Sequence, residues 1–534
     1  MIPAQATRPS ERVDAVVVGA GFSGIGAAIR LRQAGFRNVL VLEKASQLGG
    51  TWRENTYPGC ACDVPSTLYS YSFAPDTAWS RIFAGQREIH AYLRATAERH
   101  RIDEVLRCGV EVRGARWDPA AGCWRLETSD GPYSAAVLVL ATGPWHLPRE
   151  LDVPGVEEFD GPVLHTARWD ESIDLTGRRV AVVGSGASAV QLVPAIADRA
   201  AAVHLFQRTA QWVLPKPDLP VPAAVNRLLD RLPGARRALR AGQYALQEGF
   251  NYAFRHPRLA RLLEVGARAQ LQLAVGDPWL RRALTPDYRL GCKRLLTSST
   301  FYRALAQPHV RLHPTAVAAV HGNEIVGADG TAVQADVLIT ATGFRIGELP
   351  LAQSLYGLDG RTLGAVWDGE PQAYLGTTVT GFPNLFLLLG PNLLGGSTSA
   401  ITVLEAQLSY LTAALAQLDR RGRQALEIDA ATQAAHNAAV QEALRTTVYN
   451  SGGCSSYYFS PSGRNTFAWP WSTGQLVRQL GHFDPAAYNW HTATGPAPLP
   501  AVALPAVTLP AVTLPAPGKA PDDNRTAPAR GEPR

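Results

Sequence analysis

The sequence is poor in the signals that would place a chain outside the ordinary globular enzymes. Its six cysteines, at positions 60, 62, 108, 123, 292 and 454, are scattered and form neither a zinc-ligand spacing nor a Cys-x-x-Cys redox pair. Cys60 and Cys62 flank a single residue, and no metal site is expected from them or from any other cluster. Reduced thiols in a cytoplasmic enzyme are the simplest reading. No run of five or more Lys or Arg occurs, and no aromatic–basic motif of an RNA-binding module is present. The formal net charge of +6 therefore suits anionic cofactors better than nucleic acid. Purely apolar runs, such as Leu385 to Leu389, fall far short of the roughly 20 residues that span a bilayer. Met1 to Arg12 is polar, carries Pro3 and Pro9, and lacks the apolar core of a signal peptide. The absence of a G-x-S-x-G elbow argues against a Ser-His-Asp hydrolase.

What is present is a chain of 534 residues, 46% hydrophobic and 18% charged, enough for two or three domains with a large core. Val13 to Val18 is a β-branched run that predicts a buried parallel strand. A glycine-rich turn, an alanine-rich helix to about Ala34 and a second strand at Asn38 to Leu42 complete a βαβ unit. A second unit opens at Arg179 to Val183 and closes with Ala202 to Phe206. The spacing predicts an α/β fold of two Rossmann-like dinucleotide-binding domains with a helical insertion and a disordered C-terminal tail. The first domain is expected at 10–150, the second at 155–334, and a return to the first at 335–490. Residues 216–300 are rich in Leu, Ala and Arg, with breaks at Pro233, Pro257 and Pro278, and are read as the insertion. Its arginines could favour an anionic membrane surface, but basic residues on solvated helix faces are the better reading. In 495–534, Leu-Pro-Ala-Val recurs at Leu499, Leu504 and Leu509, and proline at that frequency forbids helix and sheet ladders.

The two turns between strand and helix carry the chemistry. The first reads Gly19-Ala20-Gly21-Phe22-Ser23-Gly24. Gly19 permits the tight turn, Gly21 lets the backbone approach a pyrophosphate, and Gly24 lets helix pack on strand. Glu43, 24 residues after Gly19, is placed to accept hydrogen bonds from a ribose. The second turn reads Gly184-Ser185-Gly186-Ala187-Ser188-Ala189, and 24 residues after Gly184 comes Arg208, followed by Thr209. A carboxylate would repel a 2′-phosphate and a guanidinium would bind it. The first site thus reads as one for a cofactor with a free ribose, the second as one for NADPH. Leu48-Gly49-Gly50-Thr51-Trp52 follows the acidic residue, and Gly390-Pro391-Asn392 comes late in the chain. Val137 to Gly143 (VLVLATG) and Val337 to Gly343 (VLITATG) mark where the chain leaves and re-enters the first domain. This pattern resembles the two-dinucleotide-domain flavoproteins, which assigns FAD to the first site.

Between the two units lies Phe159-Asp160-Gly161-Pro162-Val163-Leu164-His165-Thr166-Ala167-Arg168-Trp169-Asp170. It matches F-x-G-x-x-x-H-x-x-x-W-[P/D], the fingerprint of type I Baeyer–Villiger monooxygenases, at the fixed positions Phe159, Gly161, His165 and Trp169. The resemblance covers roughly residues 10 to 490. It implies His165 as a linker residue coupling domain motion, not a proton donor. Tyr57-Pro58-Gly59-Cys60-Ala61-Cys62-Asp63 resembles the family's Y-P-G-x-x-x-D segment, which makes Asp63 the active-site carboxylate. Gly291-Cys292-Lys293-Arg294 resembles the segment supplying Lys293 for the 2′-phosphate and Arg294 beside the flavin. Leu295 follows where the commonest family form has proline. The segment from Ser451-Gly452-Gly453-Cys454 to Trp469-Pro470 would close over the pocket.

The implied activity is oxidation of a small hydrophobic ketone by NADPH and O₂. One oxygen is inserted beside the carbonyl to give an ester or lactone, through a C4a-peroxide of the flavin. Arg294 would stabilise negative oxygen and Asp63 would orient it, with Arg53 the next candidate cation. Flavin-containing monooxygenases, which oxidise N or S, are the alternative. A reductase or electron-transfer flavoprotein is disfavoured because no Cys-x₄-Cys dithiol follows the first unit.

Overall fold

The computed structural model describes residues 11–75, 78–395, 398–422 and 425–492. The proline-rich 495–534 segment lies outside the described residues. The β-branched run near the start is the central strand of the first sheet, because a strand covered on both faces must be apolar at every position. That strand, Glu11–Val18, pairs in parallel with Val39–Glu43 on one side and Gly131–Leu140 on the other. The sheet continues outward through Leu106–Cys108 at one edge, and through Cys123–Thr128, Val112–Asp118 and Leu355–Tyr356 at the other. Leu385–Leu387 joins it beside Gly131–Leu140, so residues on both sides of the second unit build one sheet.

The second sheet is all parallel and has five strands. Their order is Val310–His313, Ala202–Phe206, Arg179–Val183, Val337–Thr340 and Val163–His165. The strand expected to open the return to the first domain, Val337–Thr340, thus lies in the second sheet, and the chain crosses back after it. The two crossings run side by side. Pro148 and Phe344 form an antiparallel bridge, Arg149 N donates to Gly343 O at 2.9 Å and Arg345 N to Leu147 O at 2.9 Å. The insertion is built of four helices, Ala223–Arg231, Ala235–Arg255, Pro257–Ala274 and Pro278–Ala283. Pro257 and Pro278 each stand in the first helical turn, where the missing N–H costs nothing.

One expectation about the cysteines is corrected. Cys292 and Cys454, separated by 162 residues, form a disulfide, while Cys60, Cys62, Cys108 and Cys123 are free. Spacing alone could not reveal this, because the partners meet only when the loop after the insertion's last helix packs against the late segment. Arg289 N donates to Gly452 O at 2.9 Å in the same contact.

Two predictions follow from this packing. Air-oxidised protein denatured without reductant is expected to titrate four thiols with a chromogenic disulfide, and six after reduction; six without reduction would disprove the pairing. A Cβ at Gly24 would stand 1.7 Å from the Gly19 carbonyl oxygen, whereas one at Gly186 would meet nothing within 4 Å. Gly24→Ala should therefore lose about 1–3 kcal/mol in urea denaturation, and Gly186→Ala should leave the cofactor-free protein unchanged.

Candidate active site

Each dinucleotide turn is held by its own sheet. The Phe22–Gln33 helix opens at Gly21 and the Ala187–Ala197 helix at Gly186, in both cases with no side-chain cap and no acidic residue in the first turn. Their leading N–H groups are therefore available to an anion, with the helix dipole adding to the attraction. Glu43 ends its strand 8% exposed and accepts from Ala20 N at 2.8 Å and Ala45 N at 2.9 Å. The carboxylate thus braces the glycine turn, a role the spacing did not disclose. A carboxylate has lone pairs beyond these two. Gly50 comes close to Gly21, and Thr51 and Trp52 open the short helix that follows. Asn392 is 4% exposed with φ of 55°, and its amide nitrogen donates to Asn465 O and Ala468 O at 2.9 and 3.0 Å. Its side-chain oxygen is buried with no partner. A buried acceptor left unpaired is costly, and this one fits a bound group with a donor.

A cavity of about 860 Å³ joins the two halves. Thr51 and Trp52 from the first turn, Asp63, and Gly184, Gly186 and Ser188 from the second turn line it. Arg208, Thr209, Lys293 and Arg294 complete the basic side. Arg294 donates to both carboxylate oxygens of Asp63, at 2.8 and 3.2 Å. Its side chain is 33% exposed and that of Asp63 20%. The Asp63 charge raises the guanidinium pKa above its ordinary range, against the opposing effect of burial. The Trp145 ring lies 5.7 Å from the guanidinium carbon, so this cation has an anion on one flank and an aromatic face on another. Lys293 lies over Tyr288 at 4.8 Å. Burial, and next the charge of Arg208, lowers its pKa, which places two cations near each other with an opening for an anion. Arg53 is turned instead to Glu54.

The loop carrying Asp63 is fixed to the second half by a residue that sequence reasoning missed. Gln191 accepts from Tyr57 Oη at 2.8 Å and donates to Ala61 O at 2.9 Å. Lys216 donates to Cys62 O at 2.9 Å. Burial raises the Cys60 thiol to about 12 and pushes Cys62 up as well, so neither is a ready nucleophile.

The fingerprint segment stands apart from the cavity, at the crossings. Phe159 is buried, and Gly161 lies so close to Asp336 that a Cβ would come within 2.3 Å of its carbonyl oxygen. Trp169 packs against the core of the second sheet. His165 ends its strand 6% exposed. Its Nδ1 accepts from Ala167 N at 3.0 Å, and Nε2 lies 3.4 Å from the Thr342 hydroxyl in the returning crossing. Burial lowers its pKa, which favours the neutral ring, and an accepting Nδ1 puts the proton on Nε2.

The chain is similar to known proteins along most of its length. Residues 16–232 match the family model described as pyridine nucleotide-disulphide oxidoreductase. A Baeyer–Villiger monooxygenase of Streptomyces coelicolor is 44% identical over 480 residues, covering 90% of this chain and 92% of the relative. Among solved structures, an oxidised steroid monooxygenase bound to NADP superposes with a TM-score of 0.81 at 28% identity, covering 91% of this chain and all of that one. OTEMO in complex with FAD and NADP gives 0.81 at 25% identity, covering 90% of this chain and all of that one. With 44% identity to that Streptomyces coelicolor enzyme maintained over nine-tenths of both chains, this chain belongs to the Baeyer–Villiger monooxygenase family.

Proposed function

We propose that the chain is an FAD- and NADPH-dependent monooxygenase that converts a small hydrophobic ketone to an ester or lactone, with Arg294 as the catalytic cation. The observation that carries this reading is the two-pronged Asp63–Arg294 pair in the cavity between the two glycine turns. FAD would be held by Gly19, Gly21, Gly24, Glu43, Gly50, Thr51, Trp52 and Asn392. NADPH would be held by Gly184, Gly186, Ser188, Thr209, Arg208 and Lys293, the last two at the 2′-phosphate. When bound, these cofactors supply the reducing electrons and the oxygen-activating centre. Arg294 keeps a fixed positive charge where negative oxygen develops on the substrate, and no solvent need reorganise to provide it. Asp63 sets the plane of the guanidinium and leaves one edge of it for the reacting oxygen. Trp145 limits how far that edge can swing. Phe159, Gly161, His165 and Trp169 act on the paired crossings, so that His165 transmits the relative placement of the two halves without moving a proton to substrate. A cytoplasmic location belongs to the same reading, and among the described residues no helix is long and apolar enough to cross a membrane.

Arg294→Ala should retain FAD and NADPH while ester formation falls about 100- to 1,000-fold, with NADPH oxidation diverted to hydrogen peroxide. Asp63→Ala should show a milder version of the same defect. The assay follows NADPH, peroxide and ester together; a normal ratio of ester to NADPH in Arg294→Ala would remove the arginine from this role. Sulfoxide or N-oxide as the main product from a mixed substrate panel would favour the heteroatom reaction instead. Arg208→Ala should raise KM for NADPH on the order of tenfold or more and leave NADH nearly unchanged. Equal effects on both nucleotides would show that Arg208 does not read the phosphate.

A further inference from the structure

The long helix of the insertion, Ala235–Arg255, packs Phe250 and Phe254 against the core yet carries a second apolar stripe on its outer side. Beyond its first turn, its polar residues turn from solvent to partners in the body of the protein. Arg240 donates to Thr67 O and Ser70 O at 2.7 and 2.8 Å and pairs with Glu405 at 3.3 Å. Gln243 bonds Thr67, and Asn251 donates to Thr398 at 2.6 Å. The outward stripe runs through Leu239, Gly242, Ala245, Leu246, Gly249 and Tyr252, all exposed and none charged. Ordinary amphipathic packing predicts the reverse.

The neighbouring helices continue the pattern. Among the described residues, twelve of the fourteen exposed large hydrophobic side chains lie between 219 and 279. Leu262 is 69% exposed, Val265 64% and Leu273 89%, all along one side of Pro257–Ala274. Val225, Leu228 and Leu232 project from or just beyond Ala223–Arg231. Around these apolar side chains stand exposed arginines, including Arg227, Arg231, Arg237, Arg258 and Arg261. From Ala223 to Ala283 the sequence holds eleven arginines and four carboxylates, an excess of seven against +6 for the whole chain. The carboxylates are engaged elsewhere. Glu264 is buried at Leu290 N, Glu248 holds Thr473, Asp230 pairs with Arg236, and Asp277 caps the next helix. Solvated helix faces would account for the arginines but not for the leucines among them.

We propose that the outer face of the insertion is a docking surface for an anionic lipid bilayer. Leucines on successive turns enter the acyl boundary, and the arginines meet lipid phosphates. Tyr252 and Trp279 have the amphipathic rings that settle at that depth. A lipid surface accepts separate projecting side chains without a complementary groove. A two-fold contact with a second copy would set the same arginines against each other, so charge favours lipid over self-association. The helices would lie on the membrane, since none among the described residues can span it. The proposal does not depend on which substrate is oxidised.

The test is flotation of the flavin-loaded, full-length enzyme with phosphatidylcholine vesicles, with and without phosphatidylglycerol. The enzyme should float with the anionic vesicles, and high salt should weaken the association. Arg258→Glu with Arg261→Glu should weaken binding on the order of tenfold or more. Leu262→Glu with Leu273→Glu should abolish it. Both pairs are exposed, so thermal midpoint and turnover of a water-soluble ketone should be unchanged and serve as the folding control. Failure of the parent enzyme to float, or flotation unaffected by either pair, would overturn the proposal. So would a concentration-dependent dimer that the leucine substitutions dissolve, because a second copy would then be the occupant.

Discussion

The proposed active site depends on holding one guanidinium that cannot lose its charge against a carboxylate 231 residues away. An arginine inside a cavity must be paired, since the cost of removing a fixed charge from water is returned only by a partner of good geometry. Asp63 supplies that geometry with two hydrogen bonds. Each partner must then be rigid independently of the other. The Asp63 loop is pinned by Gln191 on the helix of the second turn and by Lys216 at the head of the insertion. The Arg294 loop is pinned by the disulfide and by the Arg289–Gly452 hydrogen bond to the late segment. The pair therefore ties together the first domain, the second domain, the insertion and the segment expected to close the pocket.

The same division appears at the crossings. Two linkers that pair antiparallel form a narrower and better-defined joint than two independent loops would. A neutral His165 fits there. It is anchored on Nδ1 by its own turn and can offer its Nε2 proton to the returning linker through Thr342. A charged imidazolium would lose the Ala167 contact, because Nδ1 would then be a donor facing a donor. This gives a physical reason for the fingerprint to carry a histidine at a place remote from the reacting atoms.

What could be read in the sequence was what the chain determines locally. The strand at Ala202–Phe206 was placed to the residue, and the first strand, its helix and the second strand were placed within two residues, because β-branched runs and glycine turns are short-range signals. Asp63 and Arg294 could be named together only through family resemblance; their pairing is a long-range fact that no spacing encodes. Gln191 and Trp145 were missed for the same reason, since each acts on a partner far away in sequence. The Cys292–Cys454 bond was misread because compartment, the only available guide, says nothing about which thiols meet. The insertion was legible as helices but not as helices with a second, outward apolar stripe. Apolar periodicity fixes that a helix has an apolar stripe, but which way the stripe turns is decided by partners such as Glu405 and Thr67.

These partners also constrain what can vary during turnover. Arg294 is held in its charged form by Asp63, so its charge is constant across any pH at which the protein is folded. In the proposed role it could not be the proton source for collapse of a substrate oxyanion without ceasing to be the group that stabilises it. Lys293 differs. Burial and Arg208 both lower its pKa, so its charge is the costlier one to hold. The two adjacent residues thus divide the work by physical chemistry. In the proposed reaction the one whose charge cannot change would face the reacting oxygen, and the one whose charge is costly to hold alone would stand where an anionic phosphate repays the cost.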